Sequence, residues 1–450
     1  MFYFRKFVRP PRKIDAAWLA KPGRAVGGYL VECGIRHTAL TLTVLVLAAI
    51  TSDARSALTL TEAEQIALAD DPAIGALQAR SQALRDAAVA DGQLPDPQLK
   101  TGIYNLPLDT FEVDKEPSTQ WRLGLVQSFP RGKSLHYKRR QTESLANAEQ
   151  ANAEAGIRKV IRDVRKHFLE LYYQTRAEQI VTDTRELFAQ LVEITQAHYA
   201  TGRVSQQDVL RASLELSRLD DRTTRIRNAA DKGRAILMKW IGDAASLPID
   251  RHIPDLPAPP AREAIETALP EHPVIRVETA KLEASNQKIR IAREQYKPGW
   301  SAGLEYRKRF GNDPNGDDRA DMMAAMVTMD LPLFPKKRQD KRLSASVQQA
   351  ESIQLTRDDR LRELKQMLDA DYANWQRLGE RSALYESQLL KESTANARAS
   401  LNAYQSGVTE FTTLMRARIT DLDVRLDDLR IRVDRAKSQA SLLYLAGDDR

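Results

Sequence analysis

Residues 129–140 read FPRGKSLHYKRR, which crowds a Gly-Lys-Ser and six basic or imidazole side chains into twelve positions. Three chemistries could call for such a cluster: phosphate binding, nucleic-acid binding or contact with an anionic surface. A phosphate loop requires a second glycine five positions before the glycine of Gly-Lys-Ser, so that backbone N–H groups can surround the phosphates. Gln127 stands there, and the cradle is missing. Elsewhere no zincin helix, nucleophile elbow or paired-carboxylate motif appears, so no enzyme is expected. His136, His167, His198, His252 and His272 are scattered without ligand spacing. They read as solvated side chains, and no metal site or cofactor is expected.

The nucleic-acid reading fails on charge. The chain of 450 residues carries a formal net charge of +7. Residues 1–57 hold nine basic residues (Arg5, Lys6, Arg9, Arg12, Lys13, Lys21, Arg24, Arg36, Arg55) against Asp15, Glu32 and Asp53, and so supply +6 of it. The remainder is nearly neutral, whereas a nucleic-acid binder keeps its charge in the folded part. The same leader ends in an uncharged apolar run, TALTLTVLVLAAI (38–50), followed by small residues. Basic region, short apolar run and small residues make a secretory signal region over 1–57. The run is shorter than the ~20 residues of a transmembrane helix. Cys33, the only cysteine, lies within that leader, so no disulfide framework or thiolate site is expected downstream.

The remaining chain repeats itself. Phe334-Pro335-Lys336-Lys337-Arg338 echoes Phe129-Pro130-Arg131-Gly132-Lys133, and each begins a long proline-free run. YATGRVSQQDVLRA (199–212) matches YQSGVTEFTTLMRA (404–417), aligning Gly202 with Gly407. Pro72 pairs with Pro273, Gly102 with Gly303 and Tyr104 with Tyr306. The spacing predicts one unit used twice, over 58–250 and 251–450. Each unit reads as a helical segment (about 61–92 and 261–296), two extended stretches around a polar loop, a very long helix, a glycine break and a returning helix (about 205–241 and 409–446).

The long helices rest on periodicity. Ile157, Ile161, Val164, Phe168 and Leu171 step by four and three, and Leu187, Leu191 and Ile194 resume the rhythm. That narrow stripe predicts a coiled-coil seam. Seventy residues at 1.5 Å each make a rod of about 105 Å, far longer than one globular core requires. Gly202 and Gly407 can take the positive φ that ends such a helix. The extended stretches alternate with period two. Trp121, Leu123 and Leu125 share one face, as do Trp300, Leu304 and Tyr306. Such strands of about ten residues with terminal aromatics fit a transmembrane β-barrel. Four strands cannot close a barrel, so several copies must share one. Without those strands, the helices alone would fit a structural coiled-coil scaffold.

Taken in order, these features resemble the TolC-type outer-membrane efflux channels. The duplicated strand–strand–long-helix order, the Tyr-x-x-Gly tips with DVLRA and LMRA continuations, and ALADDPAI, LPDPQL and SFPRGK carry the likeness over roughly 58–450. LPDPQL, NLP and FPRGK look most like the heavy-metal-efflux branch. The resemblance implies an α+β membrane protein. Four transmembrane strands per chain would complete a 12-stranded barrel as a homotrimer, and coiled-coil hairpins would form a hollow periplasmic α-barrel. It implies a passive outer-membrane duct in a Gram-negative bacterium. Its partners would be outer-membrane lipid, a periplasmic adaptor (membrane fusion) protein and an inner-membrane pump of the proton-driven RND type. The cargo would be heavy-metal cations, with multidrug or type I secretion service as the alternative.

The resemblance also assigns residues. Gly202, Val204, Ser205, Gly407, Val408 and Thr409 would contact the adaptor. Asp208 and Tyr404 match a carboxylate–phenol latch that closes the periplasmic end. Two departures stand out: Thr409 replaces an arginine, and Thr413 and Arg416 occupy the positions of an aspartate ring. Trp121, Trp300 and Tyr306 would anchor the strands at the interfaces. Arg131, Lys133, Lys138, Arg139 and Arg140, with Lys336, Lys337, Arg338, Lys341 and Arg342, would meet lipid phosphates where strands leave the membrane.

Overall fold

The computed structural model describes residues 57–69 and 71–447; the expected signal region up to residue 56, including the apolar run and Cys33, lies outside them. Residues from Ala57 onward form one compact unit. Its order is α1 (Leu60–Ala69), α2 (Pro72–Asp91), β1 (Gln98–Tyr104), β2 (Gln120–Phe129), α3 (Ser134–Ala200), α4 (Gln206–Ile241), α5 (Arg262–Ala268), α6 (Pro273–Glu294), β3 (Gly299–Arg309), β4 (Met322–Asp330), α7 (Gln339–Leu384), α8 (Leu390–Gln405) and α9 (Phe411–Ala446). One π-turn, Tyr385–Leu389, joins α7 to α8.

Local chemistry sets the helix starts. Asp71 caps α2, its side chain accepting from Ala73 N at 2.8 Å and Ile74 N at 3.2 Å, and Pro72 fills the first position, where no N–H is needed. His272 and Pro273 do the same for α6. α3 runs 67 residues without a break, a rod of about 100 Å. Its N-terminal half buries Ala146, Ala148, Ala151, Ala153 and Ala155. Such small residues let neighbouring helices approach closely. Farther along Ile161 is buried, and Val164, Phe168, Leu169, Leu171 and Tyr172 enter a core shared with α1, α4 and α9.

The expected seam holds through Leu171 and then shifts. Leu187 and Ile194 are exposed, while Phe188, Leu191 and Thr195 are buried. A straight helix of 3.6 residues per turn drifts against a strict seven-residue repeat, so over several turns the buried stripe moves on by a residue. A second core joins α5, α6, α7 and α9 through Ile265, Leu269, Ile275, Leu364, Leu368, Leu442 and Leu445.

The four strands form one antiparallel sheet in the order β1-β2-β3-β4, which leaves β1 and β4 as its edges. Register fixes the faces. Leu99 pairs with Leu125, which pairs with Leu304; Leu123 pairs with Tyr306, which pairs with Met323; Phe129 pairs with Trp300, which pairs with Met329. This face is apolar, yet Leu99, Leu125, Leu304, Met323, Val327 and Met329 are all exposed. The opposite face carries Arg122, Glu305 and Arg307. The Glu305 carboxylate lies 2.6 Å from Arg307 Nε and 3.8 Å from Arg122 Nε. Arg122 also sits over the Tyr104 ring at 4.0 Å. Among the described residues no helix is long and apolar enough to cross a membrane.

Candidate functional site

The two glycine breaks form matching turns. At the first, Gly202 (φ 71°) donates to Tyr199 O at 2.9 Å, and Arg203 N donates to His198 O at 2.9 Å. At the second, Gly407 (φ 76°) donates to Tyr404 O at 3.1 Å, and Val408 N donates to Ala403 O at 2.9 Å. Both are Schellman motifs in the same register. A Cβ would meet nothing within 4 Å at either glycine, so backbone conformation alone requires them.

Leaving the turns, the two units diverge. Ser205 starts α4 with a capping box. Its hydroxyl accepts from Asp208 N at 3.3 Å, and Asp208 Oδ2 accepts from Ser205 N at 3.3 Å and from Ser205 Oγ at 2.8 Å. Glu410 starts α9 without a side-chain cap. Ser-x-x-Asp before an apolar run is a legible capping signature, and sequence reasoning passed over it.

The turns lie side by side and share a groove of about 700 Å³, with Arg203, Asp208, Arg211, Tyr404 and Glu410 among its lining residues. Val408 projects beside it, 79% exposed. Tyr404 packs edge-on to Phe411 at 5.6 Å and lies 6.3 Å from His198. Its hydroxyl is buried beside Thr195, whose own hydroxyl donates to Leu191 O at 2.7 Å. No hydrogen bond of good geometry satisfies the Tyr404 hydroxyl among the described residues. Burial pushes its pKa up; the neighbouring Thr195 hydroxyl works against that rise, and the Asp208 charge adds to it. In this conformation the Asp208 carboxylate is held by Ser205 rather than by Tyr404. Thr413 and Arg416 are exposed on α9.

The opening FPRGK stretch turns out to be a knot. Gly132 takes φ 50° and passes so close to Glu294 that a Cβ would lie 1.9 Å from Oε2. That oxygen accepts from Lys133 N at 2.7 Å and pairs with Lys297 Nζ at 2.7 Å. Burial raises the Glu294 pKa, and the Lys297 and Lys133 hydrogen bonds outweigh it, for a net lowering. Arg131 Nη1 donates to Gln295 O at 2.7 Å, and its Nη2 lies 3.9 Å from Asp330. Arg131 is thus engaged with protein, and of Lys133 the backbone is engaged. Lys138 pairs with Asp91 at 2.7 Å and Arg139 with Glu143 at 2.7 Å. Phe129 stacks on Trp300 with ring centroids 4.1 Å apart. Trp300 and Tyr306 lie on the exposed apolar face, Trp121 on the same face between Ile103 and Lys308. Lys336, Lys337, Arg338, Lys341 and Arg342 form no ion pair with any described residue, and Lys336, Lys337 and Arg338 are exposed.

The histidines need one correction. His272 is not solvated but only 2% exposed. Its Nδ1 accepts from Val274 N at 3.4 Å, and its Nε2 faces Tyr444 O at 3.2 Å. Burial pushes its pKa down to about 4. The Pro273 beside it was the available signal, because proline at a first helical position marks the preceding residue as a cap. His167 stacks on Trp240, and His252 is exposed beside Asp250. Among the described residues no group of three or more His, Cys, Asp or Glu gathers to hold a metal. A partly buried ion cluster was also missed: Glu170 accepts from Arg430 at 2.9 Å and from Lys437. Burial opposes its charge, yet those two cations bring its pKa to about 2.

Comparison with known proteins adds a family likeness. A family model described as outer membrane efflux protein matches residues 64–243 and 264–448. A curated relative, the cobalt-zinc-cadmium resistance protein CzcC of Cupriavidus metallidurans, is 21% identical over 263 residues, 58% of this chain. The match spans 59% of that relative's length. Two solved structures share the fold. VceC, an outer membrane protein from Vibrio cholerae, superposes with a TM-score of 0.73 at 16% identity, over 86% of this chain and 96% of its own. CusC superposes with a TM-score of 0.72 at 14% identity, over 86% and 91%.

Proposed function

The chain belongs to the outer membrane efflux protein family, and on that premise we propose that three copies close a 12-stranded barrel in the outer membrane of a Gram-negative bacterium. The relatives of this family are channels rather than enzymes, and the duct would conduct passively. One observation carries the reading: a four-stranded sheet with two unpaired edges and an exposed apolar face. Apolar surface of that extent costs about 25 cal/mol per Å² in water and nothing in lipid. Unpaired edges are not tolerated in lipid, so the sheet must be closed by other copies. The face bearing Arg122, Glu305 and Arg307 would then line the pore.

The helical hairpins would continue the pore through the periplasm. Their tips would dock on an adaptor protein tied to an inner-membrane pump of the proton-driven RND type, with the exposed Val408 and the neighbouring groove supporting that surface. Asp208 and Tyr404 would form the closing latch. The unsatisfied Tyr404 hydroxyl supports this, since pairing it would recover about 1–3 kcal/mol. The 58–250 and 251–450 units would be copies of one ancestral unit. Heavy-metal cations are the proposed cargo, supported by likeness to a cobalt-zinc-cadmium resistance protein.

Deletion of the gene followed by growth on copper, zinc, cobalt, silver and antibiotics tests the cargo. Sensitivity to metals alone is expected; sensitivity to antibiotics alone would overturn the metal reading. Heat-stable trimer bands from the outer-membrane fraction test the assembly, and a water-soluble monomer would refute it.

A further inference from the structure

The connector after β4 matches the knot after β2 in sequence, but the turn it would pack on lies at the far edge of the same chain's sheet. Helix starts Ser134 and Gln339 are equivalent, and so are Phe129 and Phe334. The first connector packs on the turn between α6 and β3, through Arg131 to Gln295 O, Lys133 N to Glu294, and Phe129 stacked on Trp300. The turn equivalent to α6–β3 is α2–β1, residues 91–98. In the same chain it does not meet the second connector, because β1 and β4 are opposite edges of the sheet. Leu333 and Phe334 are accordingly 69% and 86% exposed, and Leu99 is 68% exposed.

We propose that the segment Leu331–Arg338 clamps the α2–β1 turn of a second copy of this chain, instead of resting on lipid. This rests on the reading that copies close the sheet, and it fixes how they meet. Gln98 faces Val126 and Gly299 faces Asp330 in the two hairpins, so β1 maps onto β3 and β2 onto β4. Val126 pairs with Gly303 across β2 and β3, and Gly303 maps onto Gly102. Asp330 therefore pairs with a second copy's Gly102 and Met329 with its Ile103, and beyond one extra residue Phe334 falls opposite its Leu99, as Phe129 falls opposite Trp300. Parity supports this register. Met329, Ile103 and Leu99 all lie on the exposed apolar face, and a one-residue slip would turn one strand inside out.

Charge fits as well. Asp330 falls diagonal to Lys100 of the second copy, within reach across a strand pair. By analogy with Arg131 on Gln295 O, Lys336 reaches the carbonyls ending α2, where the helix dipole favours a cation. One residue more separates Asp330 from Phe334 than Val126 from Phe129, and it falls in Leu331-Pro332-Leu333. Proline suits a strand that gains its partner only at an edge.

Cysteine pairs test the register in the full chain in the outer membrane. Leu99→Cys with Phe334→Cys, and Ile103→Cys with Met329→Cys, should oxidise to covalent oligomers up to the trimer. Ile103→Cys with Val327→Cys, shifted by two positions on the same face, should not. A trimer by mass in which only the shifted pair joins would overturn the clamp and leave the trimer standing. A monomer by mass would overturn both. Lys336→Glu/Lys337→Glu/Arg338→Glu should lower the temperature at which trimers dissociate in neutral detergent; loss only in anionic lipid would return these cations to a lipid role.

Discussion

Replacing Gly132 by alanine tests whether the FPRGK knot is held by Glu294. The residue sits at φ 50°, where an L side chain costs about 1–2 kcal/mol. The new Cβ would also lie 1.9 Å from Glu294 Oε2 and 2.7 Å from Lys297 Cδ. The carboxylate must swing away and lose the Lys133 N–H, a hydrogen bond to a charged group worth about 1.5–3 kcal/mol. Lys297 is half exposed, so its ion pair adds little. The sum is roughly 3–5 kcal/mol. Gly316 provides the comparison: its φ is 90°, and a Cβ there meets nothing within 4 Å. Gly316→Ala should cost only the backbone part, about 1–2 kcal/mol. The assay is denaturant unfolding of each variant in the same detergent, followed by fluorescence. Adding Glu294→Ala to Gly132→Ala relieves the clash, so the double variant should lose less than the two single losses combined. Equal effects of Gly132→Ala and Gly316→Ala would refute the reasoning.

Three further outcomes follow from the geometry. His272 has a folded pKa near 4, below its usual 6.5, because burial disfavours the charged ring. Its stabilising contribution is present above pH 6.5 and is lost as pH falls toward 4, up to about 3 kcal/mol. His272→Asn, which keeps a cap, should flatten stability between pH 7 and pH 5; an unchanged slope would rule the residue out. At the tips, Asp208→Ala and Tyr404→Phe should raise ion leakage through reconstituted channels if the latch forms, whereas Ser205→Ala should not. Equal leakage from Ser205→Ala would mean that Asp208 acts only through the helix cap. On the polar face of the sheet, Arg122→Gln/Arg307→Gln should shift the reversal potential in a KCl gradient toward cation selectivity. The shift should shrink at high salt, since the screening length is about 10 Å at 0.1 M; no shift at low salt would place these residues away from the ion path.

Much of the architecture was legible from local patterns. Proline-free runs, four-three spacing and paired glycines located the long hairpins, because helix propensity and helix termination are set by nearby residues. Period-two alternation located the strands for the same reason. The seam beyond Leu171 was not legible in detail, because drift of the stripe accumulates along a rod and depends on which helices lie alongside. His272 looked like a surface residue because burial is created by α9, whose Tyr444 lies 172 positions away in sequence. The hold of Glu294 on the knot was not legible beyond its local pair with Lys297, because Lys133 is 161 positions distant and contributes only a backbone N–H, which no residue type announces.

The sequence by itself determined the element types and their order, the glycine turns and the alternation that makes one sheet face apolar. All of these depend on interactions within a few residues, where spacing maps directly onto geometry. Only the tertiary structure decided the sheet order, the register that gathers Arg122, Glu305 and Arg307, and the burial of the Tyr404 hydroxyl beside Thr195. Those depend on how elements hundreds of residues apart pack together, and long-range packing is selected by the whole chain's burial and hydrogen bonding rather than by any local run.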